Sequence, residues 1–120
     1  MAAISAGNPD GKEAIRGVFG AAESIFKLMF PKAVKLTSAD IIKNLGSASQ
    51  SLYASDAVAQ RAASKMVGSF ADWVDACHNY RHEHGVEEPS QPPLDLAIEI
   101  VSAGAGFVRW LVQFDKHLGA

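Results

Sequence analysis

Apolar residues recur at intervals of three and four along three long segments of this chain, and that period constrains the fold more than any other feature. The segments cover residues 12–30, about 55–85 and 93–118. Pro31 ends the first segment, since proline lacks the backbone donor that a helix interior needs, and Pro93 suits the first turn of the last. The two-residue alternation typical of strands is absent from the sequence. The pattern predicts an all-α bundle of three long helices and one or two short helices.

The same period predicts which positions of each segment face a core. In the first segment these are Ile15, Val18, Phe19, Ala22, Ile25, Phe26, Met29 and Phe30. In the second they are Val58, Ala62, Met66, Phe70, Trp73, Val74, Cys77 and Tyr80. In the last they are Leu94, Ala97, Ile98, Val101, Ala105, Val108, Leu111 and Val112. Phe107 and Trp110 lie off the last stripe, and we expect a homodimer to cover them.

A short helix is predicted between the first two long ones. Thr37 is an N-cap residue with Asp40 in the first turn, and Gly46 is the expected end of this helix. The serine-rich residues 47–51 fit either a loop or a further helical turn. Glycine permits close backbone approach, so we expect another helix to cross near Gly17 and Gly20 or at the small residues 102–106.

The length and composition predict one folded domain. The chain has 120 residues, 48% of them hydrophobic and 20% charged, which is ordinary for a globular domain. We assign one domain to residues 1–120, with residues 1–11 as a loose N-terminal segment. The net charge of −2 argues against a protein that coats nucleic acid through bulk positive charge. Residues 1–50 carry six Lys/Arg against four Asp/Glu, whereas residues 86–120 carry two against five, so a polyanion is expected to approach away from the C-terminal segment.

The single cysteine and the termini bear on the compartment. Cys77 is the only cysteine and lies on the apolar stripe, so it is expected to be a buried structural thiol in a reducing environment. The N-terminal residues lack a basic start followed by an apolar run, so no signal peptide is expected. Glu99 and Arg109 interrupt the most apolar helix, which predicts no membrane span and no membrane partner. A cytoplasmic location is the expectation.

A polar cluster lies at the end of the second long helix. Three of the four histidines, His78, His82 and His84, occur there beside Asn79 and Arg81. One interpretation is that these side chains only complement the dipole of the helix end. Another is phosphodiester cleavage, because an imidazole moves protons near neutral pH and a guanidinium holds phosphate oxygens. Arg81 and His84 are three residues apart, so they project from nearly the same side of the helix.

A metal site is a third interpretation of the cluster. His78 and His82 have the i, i+4 spacing at which two helical histidines share one ion, with Glu83, His84 or Cys77 as further ligands. Cys77 faces the apolar side, however, and the only other histidine is His117. We therefore predict no metal and no cofactor.

Three stretches of the sequence carry a family resemblance. They are EAIRGVFGAAESIFKLMF, then YRHEHG at the end of the central helix, and, after a proline loop, LAIEIVSAGAGFVRWLVQF. Over residues 12–116 the chain resembles the HEPN superfamily, and most closely the small C-terminal domains of bacterial abortive-infection proteins. The resemblance implies a helical bundle that forms homodimers. It also implies metal-independent ribonuclease activity in a toxin or phage-defence setting.

The resemblance also assigns roles to residues. Arg81 matches the family's arginine, His82 the polar position after it, and His84 the histidine, although two residues separate Arg81 from His84 where the family has four to six. Two copies of the Arg81/His84 pair would meet across a dimer seam, with His84 as acid or base on the 2′-hydroxyl and Arg81 stabilising the phosphate charge. His78, Asn79 and His82 would support them.

Two further questions stay open in the sequence. Glu23 on the first helix either orients Arg81 or forms a solvated pair with Lys27. The alternative to catalysis is a non-catalytic module of the same fold with a degenerate motif, which would dimerise or bind a partner protein or a nucleotide.

Overall fold

The computed structural model describes residues 10–81 and 91–119, and over these ranges the chain is a helical bundle without β-strands. Three long helices, α1 (Gly11–Met29), α4 (Ala57–Arg81) and α5 (Leu94–Gly119), form its body. Between α1 and α4 lie α2 (Ser38–Asp40), a π-helical turn (Ile41–Leu45) and α3 (Gly46–Leu52). The predicted all-α class and the three long helices are confirmed.

Both ends of α1 follow from local chemistry. The side chain of Asp10 accepts a hydrogen bond from the backbone N–H of Glu13 (3.0 Å), which satisfies one of the donors left open at a helix start. The helix ends at Met29, two residues before Pro31. Its buried face includes Ile15, Phe19, Ala22 and Phe26, as the period predicts.

The short helical segment is longer than the sequence suggests. Thr37 is its N-cap, accepting from the N–H of Asp40 at 3.1 Å. Gly46 does not end the helix, because the backbone there stays right-handed and the chain continues to Leu52. The buried Ser49 hydroxyl donates to the carbonyl of Gly46 (2.9 Å), so the serine-rich stretch satisfies its polar groups within the helix.

The helix α4 begins as expected but turns a different face inward over its first half. Asp56 accepts from the N–H of Ala59 (3.0 Å) at its start. Val58 and Met66, predicted to face the core, are 66% and 48% exposed, and Ala62 is exposed as well. The residues buried on α4 are Ala63, Val67, Phe70, Ala71, Trp73, Val74 and Cys77. Small and apolar residues occur on both faces of the first half of α4, so the helical period alone does not determine which face is buried.

The helix α5 runs parallel to α1 and antiparallel to α4. Gly11 lies against Ala97 and Gly104 against Val18, while Phe107 packs on Phe70 with ring centroids 4.9 Å apart. The core side of α5 consists of Ala97, Ile100, Val101, Gly104, Leu111 and Phe114. Four residues that we expected in the core point outward, with Ile98 48% and Leu94 45% exposed: Leu94, Ile98, Ala105 and Val112.

Three helices cross closely at Gly104. A methyl group placed there would lie 2.5 Å from Cζ2 of Trp73 and 2.8 Å from Cγ2 of Val18, so α1, α4 and α5 meet at a position that accepts only hydrogen. The indole N–H of Trp73 donates to the carbonyl of Ile100 (2.9 Å) in the same place. The predicted crossing at residues 102–106 is therefore confirmed within one chain. Gly17 and Gly20 face open space, so the expectation of a crossing there is wrong.

Phe107 and Trp110, which we expected a homodimer to cover, are partly covered by residues of the same chain. Phe107 is half-buried against Phe70 and Trp73, and Trp110 meets Phe114 edge-on at 6.1 Å between ring centroids. The apolar surface that remains open on α5 therefore belongs to other residues. Across the residues that the structure describes, no helix has both the length and the apolar character that spanning a bilayer requires.

Candidate functional site

The guanidinium of Arg81, at the end of α4, packs over the ring of Phe19. Its Cζ is 3.9 Å from the ring centroid of Phe19, which comes from α1. Side chains of a helix point back toward its N-terminus, so an arginine in the last turn lies over the preceding turn, where His78 is. Arg81 is half-buried as a result, and the Phe19 ring provides a cation–π contact.

His78 fixes the guanidinium from a second direction. Nη1 of Arg81 lies 3.1 Å from Nδ1 of His78, one helical turn earlier. A guanidinium only donates, so Nδ1 is the acceptor in this hydrogen bond and the ring N–H that accompanies it is on Nε2. The His78 ring is also 5.9 Å from the Phe19 ring between centroids. The predicted supporting residue thus directly contacts the predicted phosphate-binding residue.

Phe19 is held by a cluster of aromatic rings beneath it. It is 1% exposed and stacks on Trp73 with centroids 6.1 Å apart, and Trp73 in turn contacts Phe70 and Phe107. The hydrogen bond from Trp73 to Ile100 fixes the indole. Sequence reasoning placed Phe19 in the core but missed this second contact, because an aromatic residue at helical spacing gives no sign of what covers its outer face.

Within the described part of the chain, Arg81 contacts an aromatic ring and an imidazole nitrogen. Among residues 10–81 and 91–119, no carboxylate lies within ion-pair distance of its guanidinium, and its described contacts are the Phe19 ring and the His78 nitrogen. Burial raises the pKa of the neighbouring Cys77 thiol to about 12, and the positive charge of Arg81 opposes that rise. Cys77 is fully buried and is therefore an inert thiol, in line with its predicted structural role.

Glu23 takes a role that neither prediction included. Its carboxylate accepts a hydrogen bond from the backbone N–H of Leu36 (2.9 Å), which ties the connector after α1 back onto that helix. In the part of the chain that the structure describes, Glu23 forms no ion pair with Arg81 or Lys27. The acid on the first helix is therefore a structural cap for the connector, and it does not orient Arg81.

The other predicted site residues divide into two groups. Asn79 is exposed and donates to the carbonyl of Ala76 at 3.3 Å, on its own helix. His82 and His84 lie outside the described residues, as does the proline loop that the sequence predicts after them. The role of His84 therefore stays a prediction, and so does the expectation that His78 and His82 hold no metal. Among the described residues, no three His, Cys, Asp or Glu side chains are grouped as a metal ion requires.

No protein-family model, curated protein or solved structure matches this chain. A guanidinium that lies on an aromatic ring and donates one N–H to an imidazole keeps further in-plane N–H groups. Such an edge matches the oxygens of a phosphate or carboxylate.

Proposed function

We propose that this chain is a HEPN-like helical domain that binds RNA at the end of α4 and cleaves it without a metal ion. Arg81 anchors the scissile phosphate, and His84 transfers the proton of the attacking 2′-hydroxyl. Two copies of the site face each other across a homodimer, in a toxin or phage-defence setting.

The observation that carries the proposal is the state of Arg81. Its guanidinium is half-buried, is held in place by Phe19 and His78, and has no carboxylate partner among the described residues. A cation removed from water costs free energy unless an anion compensates it. A surface cation that only complements the helix dipole needs neither an aromatic support nor an imidazole acceptor. The arrangement therefore favours an anionic ligand, and phosphate suits the in-plane donors best.

Each group has a defined part in the proposed reaction. The base removes the proton of the 2′-hydroxyl, the 2′-oxygen attacks the adjacent phosphorus, and the 5′-oxygen of the next nucleotide leaves with a proton. The products are a 2′,3′-cyclic phosphate and a 5′-hydroxyl. Arg81 stabilises the charge that develops on the phosphate oxygens. His78 accepts from Arg81 and so sets the direction of the guanidinium, which makes it a positioning residue.

Cleavage of RNA in excess chelator tests the proposal. Purified protein is incubated with single-stranded and structured RNA, and the products are examined for 2′,3′-cyclic phosphate ends. We expect Arg81→Ala and His84→Ala each to slow cleavage by roughly a hundredfold or more, the usual contribution of a positioned acid–base or charge-stabilising group. Arg81→Ala should also weaken RNA binding by about tenfold, as expected for a charge-assisted hydrogen bond.

Arg61 provides the matched control, because it is an exposed arginine in the first turns of the same helix. Arg61→Ala should leave both cleavage and binding unchanged. Absence of cleavage by the wild-type protein at high concentration would contradict the nuclease proposal. A uniform loss of RNA binding in the Arg61 and Arg81 variants would show that the interaction depends on charge alone.

A second function is favoured by a different observation. The outward face of α5 carries Leu94, Ile98 and Val112, which are 45%, 48% and 38% exposed. Apolar side chains repeated along one helix face favour an interaction module that dimerises or binds a partner protein or a nucleotide, without catalysis. This alternative stands if the chain associates with itself but leaves RNA intact.

A further inference from the structure

The C-terminal end of α1 and the turn after it form a surface that the proposed function does not use. We define the α1 tip as the exposed residues Lys27, Leu28, Lys32, Val34 and Lys35. Leu28 and Val34 are 77% and 82% exposed, the two largest values among the exposed large hydrophobic residues of the described chain. Two aliphatic side chains this exposed at one end of a helix offer apolar area to a partner.

The charge of the α1 tip is entirely positive. Residues 27–35 contain three lysines and no acid, although the whole chain has a net charge of −2. The nearest acids in sequence are already engaged: Glu23 accepts from the N–H of Leu36, and Asp40 accepts from the hydroxyl of Thr37 at 2.9 Å. The tip therefore presents uncompensated positive charge beside protruding apolar side chains.

The backbone of the α1 tip is fixed by the core below it. Leu36 is 1% exposed, and Phe30 packs on Phe26 with ring centroids 4.9 Å apart. The N–H of Phe30 donates to the carbonyl of Phe26, and the N–H of Ala33 donates to that of Phe30, both at 2.9 Å. Binding at this surface therefore needs little ordering of the backbone, which lowers its entropic cost.

We propose that the α1 tip docks on the surface of an anionic lipid bilayer, with the lysines on the headgroups and Leu28 and Val34 in the boundary with the acyl chains. Lysines interleaved with aliphatic side chains are typical of peripheral membrane contact. The sequence argued against a membrane partner only because it lacks a spanning helix. A peripheral contact needs no such helix, so the proposal departs from that expectation. The inference is independent of RNA cleavage, because the tip includes no residue of the candidate site.

Other occupants fit the same observations less well. A second copy would bring three lysines against three lysines, and like charges repel. Single-stranded RNA gains affinity by stacking on aromatic rings, whereas the exposed apolar residues of the tip are aliphatic. A peptide that docks in a groove needs a concave surface, and side chains more than three-quarters exposed stand on a convex one.

Vesicle co-sedimentation tests the docking. The wild-type protein is mixed with phosphatidylcholine vesicles that contain about 30 mol% phosphatidylserine, or with phosphatidylcholine alone, over a range of salt concentrations. We expect binding to the anionic vesicles only, and weaker binding at high salt. Each of Lys27→Gln, Lys32→Gln and Lys35→Gln should lower the partition coefficient roughly fivefold, from about one kcal/mol per lysine at an anionic surface.

Two further sets of variants separate the contributions. Leu28→Ser with Val34→Ser should reduce binding to anionic vesicles while the charge stays constant, which pure electrostatic attraction would not produce. Arg61→Gln with Lys65→Gln, two exposed cations on α4, should leave binding unchanged. All five tip substitutions are at exposed positions, so circular dichroism should show an unchanged helix content.

Three outcomes would overturn the proposal. The first is equal binding to charged and neutral vesicles, or no binding to either. The second is an equal loss of vesicle binding in the α4 control, which would indicate a non-specific charge effect. The third is loss of RNA binding in the lysine variants of a protein that ignores vesicles, which would assign the tip to nucleic acid. Cleavage by Arg81 and His84 is measured separately, so failure of either proposal leaves the other intact.

Discussion

At the scale of single residues, Arg81 acquires its position from a side chain on another helix. The guanidinium rests 3.9 Å above the Phe19 ring centroid, and Phe19 is itself buried to 1% exposure. A cation–π contact contributes about 0.5–1 kcal/mol at exposed sites and about 2 kcal/mol when it is desolvated. Because Arg81 is half-buried, we expect a value between these limits. The contact should therefore be measurable as a coupling energy in the folded protein, whether or not the chain cleaves RNA.

A double-mutant cycle between Phe19→Leu and Arg81→Met tests that contact. We expect the two substitutions to be non-additive by about 1 kcal/mol in the free energy of unfolding, because each one alone removes the shared interaction. Urea titration followed by circular dichroism gives the four free energies. Leucine keeps an apolar side chain at position 19, and methionine keeps the apolar stem of Arg81, so the cycle isolates the ring and the charge.

The control cycle pairs Phe19→Leu with Arg61→Met. Arg61 is exposed in the first turns of α4, away from the Phe19 ring at the other end of that helix, so these two substitutions should be additive within experimental error. Coupling of the same size in both cycles would mean that Phe19→Leu loosens the whole helix. In that case the cation–π contact would not be what places Arg81.

Part of the candidate site was predictable from residue types and spacing. Arg81 and His78 were selected because guanidinium and imidazole groups at a helix end suggest phosphate chemistry, and the structure brings the two into contact. Phe19 was not selected, since its spacing only indicates a core position. Glu23 was misassigned, because the N–H of Leu36 that it caps lies in a connector whose path the helical period does not determine.

At the scale of helices, the bundle depends on one close crossing. Gly104 allows α5 to lie against Trp73 and Val18, and the indole of Trp73 reaches the Ile100 carbonyl in that space. The helices α4 and α5 also contact each other through Phe70 and Phe107. Any side chain at Gly104 must therefore separate α5 from both α1 and α4. The cost should appear as global destabilisation.

We expect Gly104→Ala to lower the free energy of unfolding by about 1–3 kcal/mol, the usual effect of overpacking a core. The gain in helix propensity, which favours alanine over glycine by about 1 kcal/mol, is too small to offset contacts of 2.5 and 2.8 Å with Trp73 and Val18. Thermal and urea unfolding measure the change. Quenching or a shift of the Trp73 fluorescence should accompany it.

Gly17→Ala and Gly20→Ala are the matched controls for the crossing. Both glycines are helical, and a methyl group at either would meet nothing within 4 Å. These variants should be as stable as the wild type or more stable by roughly 0.5–1 kcal/mol, from helix propensity alone. A Gly104→Ala variant with the same free energy of unfolding as these two would contradict the close contact of α5 with α1 and α4 at Gly104.

The extent of the helices was largely predictable, but the direction in which some faces point was not. Capping residues and Pro31 set both ends of α1, and Asp56 marked the start of α4. The outward faces of α4 and α5 were partly assigned to the core, because Val58, Met66, Ile98 and Val112 are apolar residues at helical spacing. Which of two apolar rows is buried depends on the neighbouring helices, and one sequence does not specify their rotation.

At the scale of the whole molecule, the charge on α5 is arranged so that two copies could pair. Asp95 and Glu99 are exposed in its first half, and Arg109, Asp115 and Lys116 are exposed in its second half, which leaves the second half net positive. Between them the outward face carries the small residues Ser102 and Ala105. Two α5 helices packed antiparallel would place the acidic half of each along the basic half of the other.

That arrangement predicts a homodimer with its two-fold axis near Ala105. Ile98 of one copy would then face Val112 of the other, and each pair would bury side chains that are 48% and 38% exposed in the single chain. Ile98→Lys would place a cation opposite Val112 of the other copy and near its Arg109 and Lys116, which costs more than about 1.4 kcal/mol, so the dimer dissociation constant should rise at least tenfold. Sedimentation equilibrium measures the constant directly. Val58→Lys, at a position on α4 that is 66% exposed, should leave the constant unchanged. A wild-type chain that sediments as a monomer at every concentration would contradict both the dimer and a composite Arg81 site.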